Sequence, residues 1–106
     1  MTGQSLAPAE LLQRRFALVT ALSELNARTH KLVQELSAID LDLLRIELEI
    51  RREPADVKLV QELQEVEQRA AALRASRSDC DDETAAVEAE MDEIDLLLAE
   101  SRGGVS

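Results

Sequence analysis

Between Gly3 and Gly103 the sequence has no glycine, and after Pro8 it has a single further proline, Pro54. A body without glycine cannot form the glycine-rich loop that cradles a nucleotide phosphate, and it leaves little to interrupt a helix. Aromatic residues are nearly absent, Phe16 being the one example. Strands ordinarily draw on aromatic and β-branched residues, so the shortage argues against a sheet. Cys80 is the lone cysteine, which excludes an intramolecular disulfide framework and suits a reducing compartment. His30 is the lone histidine. One histidine and one cysteine cannot build the common zinc sites, which need several converging ligands. The acidic run Asp79-Cys80-Asp81-Asp82-Glu83 lacks the glycine and the ligand spacing of an EF-hand loop. No Ser or Cys is placed by spacing to work with His30 as an activated nucleophile. The expectation is therefore no enzyme activity, no cofactor and no metal.

Long apolar runs are missing as well. None approaches the roughly 18 residues of a membrane span, so no membrane insertion is expected. Met1 to Glu10 has neither a basic segment nor an apolar one after it, so it does not read as a signal peptide. These readings give a soluble, intracellular protein, cytoplasmic by default.

What the chain does have is leucine, alanine, carboxylates and arginine, the composition of long helices and coiled coils. The net charge of −10 repels phosphates, so no nucleic-acid partner is expected. That charge is concentrated: residues 79–100 hold ten carboxylates and no Lys or Arg. Arg14, Arg15, Arg28 and Lys31 would lie on the opposing arm of a hairpin and neutralise part of it.

Glycine and proline mark the two ends and the middle, leaving two uninterrupted segments. Positions alternately four and three apart run from Leu11 to Ile50 in the first and from Leu59 to Leu98 in the second. Twenty of these 24 positions are apolar, counting Cys80. Such a heptad repeat is the coiled-coil signal. Folding the chain at Glu53-Pro54-Ala55-Asp56 pairs residues whose numbers sum to 109, and every seam position then meets another. Ile50 meets Leu59, Ile46 meets Leu63, and so on to Leu11 with Leu98. The fold expected is all-α: a long antiparallel two-helix coiled-coil hairpin. Helix 1 is expected over about 8–52, the turn over 53–56 and helix 2 over about 54–101, with Pro54 in its first turn. Residues 1–7 and 102–106 are expected to be disordered.

The middle of the seam is weaker. Arg77 faces Leu32 and Thr29 faces Cys80, within a serine- and aspartate-rich string of poor helix propensity. A break near 76–80, giving three helices, is the alternative. Among the seam residues, Arg15, Thr29, Arg77 and Cys80 are the candidates for fixing register or partner choice. For Arg15 and Arg77 the plainer reading is that the stems lie along the seam while the charged heads reach carboxylates at its edge.

Apolar residues also remain outside the seam. Leu12, Phe16, Val19, Leu96 and Leu97 lie near the open end; Leu41, Leu44, Leu48, Val57 and Val60 lie near the turn. Clustered surface apolar groups usually mark a contact, so packing into a four-helix bundle or a larger helical assembly is expected. The functional expectation is a non-catalytic coiled-coil interaction subunit or adaptor, with protein partners met by self-association or in a hetero-complex. The alternative is a small acidic chaperone, similar to secretion chaperones, that masks an apolar or basic segment of a partner. Insertion of the hairpin tip into an enzyme channel fits less well, because Arg51 and Arg52 adjoin the acidic Glu53 and Asp56.

Overall fold

The structure, a computed structural model, describes residues 7–103. It contains two helices, α1 (Pro8–Arg52) and α2 (Val57–Gly103), which form an antiparallel hairpin. Among the described residues there is no strand. The disorder expected at residues 1–6 and 104–106 lies outside the described residues. Arg102 and Gly103, also expected to be disordered, belong to α2.

Each helix end has a local cause. Pro8 opens α1 where its missing N–H has no intrahelical partner to lose, and Leu11 N–H donates to Ala7 C=O at 3.0 Å. Glu10 in the first turn and Arg51 and Arg52 in the last oppose the partial charges of the helix ends. The expected start of α2 needs correction. Pro54 does not enter the helix; it sits in a four-residue turn closed by Asp56 N–H donating to Glu53 C=O at 3.1 Å. Pro54 holds the second position of that turn, where its fixed φ is already suitable. Asp56 is the cap of α2: its Oδ1 accepts from Lys58 N–H at 2.9 Å and from Leu59 N–H at 3.3 Å. A strong capping side chain at 56 moves the helix start three residues past 54.

α2 runs unbroken through 76–80, so the three-helix alternative does not arise. Serine and aspartate cost a helix roughly 0.5 kcal/mol each relative to alanine. Against that loss stands tertiary contact: Cys80 is 1% exposed, and Leu32 and Leu36 are buried on α1. The local preference is overridden by the seam.

Among the described residues, all twelve buried hydrophobic residues occupy seam positions, and of the 24 seam positions only Arg77 is exposed. The described residues fall into two compact units, each containing a stretch of both helices. Unit 2 is Arg28–Asp81, which includes the turn. Its core joins Ile39, Ile46, Val66 and Ala70, with Leu43, Ile50, Leu63 and Leu73 packed against them. Unit 1 comprises the described parts of Met1–Ala27 and Asp82–Ser106. Its core joins Leu11, Leu18, Ile94 and Leu98, with Val87 and Met91 alongside. Ala70, fully buried opposite Ile39, lets the two backbones approach where a larger side chain would hold them apart.

Candidate interaction surface

Among the described residues, the large apolar side chains left exposed are the same ten named from the sequence. In unit 1 these are Leu12, Phe16 and Val19 on α1 and Leu96 and Leu97 on α2. In unit 2 they are Leu41, Leu44 and Leu48 on α1 and Val57 and Val60 on α2. Exposure runs from 39% at Val60 to 75% at Phe16, with Leu41 at 70%.

Their placement follows from helical period. Letter the heptad so that the seam falls at a and d. Leu12 and Val19 are then at e, Phe16 and Leu44 at b, and Leu41 and Leu48 at f. At about 100° per residue, e, b and f make one flank of the helix and c and g the other. The two flanks of α1 differ sharply in charge. Ten of its 13 c and g positions are charged, against three of its 19 e, b and f positions, namely Asp40, Glu47 and Arg51. In a coiled coil that meets only water, both flanks are free to carry charge; here one flank of α1 is kept apolar or uncharged. Leu41, Leu44 and Leu48 line a shallow apolar groove in unit 2, bounded by Arg45, Glu49 and Arg52 of the charged flank.

The residues that interrupt the seam behave differently from one another. Thr29 and Cys80 meet at 3.1 Å (Oγ1 to Sγ), so the hydroxyl and thiol share a hydrogen bond inside the seam, with either able to donate. Arg15 is half-buried and turns its head outward, Nε donating to Asp95 Oδ1 at 2.7 Å and an Nη to Oδ2 at 3.4 Å. This hydrogen bond holds Asp95 below the ordinary carboxylate range and raises Arg15 above the ordinary guanidinium value. Arg14 raises its own affinity for the proton in the same way, through a 2.6 Å bond to Glu90. Arg14 and Arg15, among the cations expected to oppose the 79–100 acids, are thus seen in pairs with them. Arg77 leaves the seam altogether: it is exposed and borders a hollow with Val33, Leu36, Ser37, Asp40, Arg74 and Asp81.

Two features lie outside the heptad pattern. Arg45 reaches three carboxylates, Asp42 at 3.8 Å, Glu49 at 3.0 Å and Glu62 across the hairpin at 2.7 Å. The first two were legible from the i+3 and i+4 spacing. Arg74 pairs with Asp40 at 3.4 Å between the helices. All these side chains are between 38% and 63% exposed, so solvent screens each pair and it acts mainly on register.

Among the described residues there is no group of His, Cys, Asp or Glu that could hold a metal ion. Among the described residues no helix is long and apolar enough to cross a membrane. No family model, curated protein or solved structure matches this chain.

Proposed function

We propose that this chain is a non-catalytic interaction subunit that assembles with other helices through the apolar flank of α1. The observation that carries this reading is the surplus. The seam already closes the hairpin, yet ten large apolar side chains remain exposed, six of them on the sparsely charged flank of α1. Fully burying a leucine or phenylalanine stabilises an assembly by about 1.5–3 kcal/mol, so covering side chains that are now about half exposed contributes roughly 1 kcal/mol each. Association carries an entropic cost of at least about 4 kcal/mol, which no single exposed leucine offsets but a stripe of six on each side can.

The test replaces Leu44 and Leu48 together by glutamate. The hairpin should keep its helix content, because neither residue is buried, while self-association or capture of a purified partner should be lost. A variant that binds as well as the wild type would remove the basis for this reading. The chaperone alternative uses the same exposed residues, and is favoured instead if co-expression solubilises an otherwise insoluble client that these substitutions release.

A further inference from the structure

Resting on that reading, we infer that the helix covering the flank of α1 is α1 of a second copy, antiparallel, about a two-fold axis at His30. The exposed apolar residues of α1 mirror one another about position 30. Leu12 pairs with Leu48, Phe16 with Leu44 and Val19 with Leu41, each pair summing to 60. Inside them Ser23 falls on Ser37 and Asn26 on Gln34, and His30 falls on itself. A two-fold interface requires this self-complementarity, since if residue i meets residue j, then j must meet i. A heterologous partner requires no such symmetry. The eleven positions from 12 to 48 advance by four and three with a mean step of 3.6, the period of the helix itself, so they form one line along the uninterrupted α1.

Charge selects the same helix. α1 holds seven acidic and seven basic residues, whereas α2 holds 13 acidic and five basic. Two copies that meet through α1 bring no net charge together; two that meet through α2 would oppose eight negative charges with eight more. The size suffices. Thirty-six residues of helix cover about 54 Å, and a strip about 10 Å wide on each copy gives on the order of 1,000 Å² in total. That is the lower bound for a specific interface. In this arrangement the residues 12–19 patch of one copy packs on the residues 41–48 patch of the other, and the small polar side chains around His30 occupy the centre.

Cross-linking in the full chain tests the register directly. With Cys80→Ser to remove the native thiol, His30→Cys should oxidise to a disulfide-linked dimer. Leu12→Cys alone should not, and Leu12→Cys with Leu48→Cys should. Because Cys80 is buried against Thr29, a photo-cross-linking residue at position 30 in the wild-type background repeats the measurement without disturbing the seam. Light scattering of the wild type should give twice the 11.7 kDa chain mass, and Leu44→Glu with Leu48→Glu should weaken the dimer by about 100-fold or more. A wild-type chain that stays monomeric at high concentration overturns the inference, as does a dimer in which position 30 does not cross-link to itself. If in either case Leu44→Glu with Leu48→Glu still abolishes binding of a purified partner, only the second copy is refuted. If those substitutions change no association, the interaction reading falls with it.

Discussion

Ile46 and Leu44 lie two residues apart on α1 and should respond very differently to the same truncation. Ile46 has no exposed surface and sits in the core of unit 2 beside Ile39, Val66 and Ala70; Leu44 is 54% exposed. Ile46→Ala removes three carbons from a closed environment. At about 0.8 kcal/mol per buried methylene the transfer loss is roughly 2.5 kcal/mol. A cavity left in the seam adds roughly 1 kcal/mol more, giving about 3–4 kcal/mol, within the usual range for such substitutions. Chains of this size have about 5–15 kcal/mol in all, so the loss should move the unfolding midpoint far toward zero denaturant. Leu44→Ala should cost the hairpin less than about 1 kcal/mol. Urea unfolding followed by far-ultraviolet circular dichroism, at low and high protein concentration, reads both. The Ile46→Ala deficit should already be present in dilute protein. The Leu44→Ala deficit should grow with concentration, because what it removes is association. If Ile46→Ala costs less than about 1 kcal/mol, or if the two variants lose equal stability in dilute protein, the seam is not what holds the helices together and the argument from burial fails.

Three further outcomes are expected. Asp56→Ala removes the side chain that accepts from Lys58 and Leu59 N–H, and should lower stability by about 1 kcal/mol in chemical denaturation, with Asp56→Asn losing much less. Ala70→Leu places a larger side chain where there is no exposed surface, and should lower the melting temperature by the equivalent of about 1–3 kcal/mol; unchanged melting would show the seam to be looser than Ile39 and Ala70 make it. Asp95 has a folded-state pKa below its unfolded value, so its stabilising effect is present above the unfolded value near 3.9 and is lost as pH falls through the lower folded value. The difference in melting temperature between wild type and Asp95→Asn should therefore be constant near neutrality and shrink as the pH falls below about 4. A difference that persists at the lowest pH would show that the Arg15 pair is not its origin.

The residues most legible in the sequence are those whose role is set by period. Twelve buried side chains lie on the heptad seam, and the meeting of Thr29 with Cys80 at 3.1 Å is the pairing that a register of 109 requires. The ten exposed apolar residues could likewise be named in advance, because a two-helix seam has room for positions a and d and little else. Legibility failed where alternatives of similar energy competed. Pro54 and Asp56 each supply a helix-starting signal, for starts at 54 and at 57, and the choice belongs to the hydrogen bonds that close the turn. The serine- and aspartate-rich string around Cys80 is a helix breaker by propensity alone.

The sequence by itself determined an all-helical chain with one reversal and a fixed phase between its two repeats, because burial of a leucine every three or four residues outweighs most other choices along the chain. Tertiary structure decided what depends on a partner across the hairpin. It keeps α2 helical through 76–80, where the buried Cys80 offsets poor propensity. It turns the Arg15 head outward to Asp95 and leaves Arg77 at the rim of a hollow, although both are arginines at the same seam letter. The physical reason is range. Period and charge are properties of neighbours in the chain, whereas the fate of an arginine in a seam depends on which carboxylate the opposite helix brings within reach.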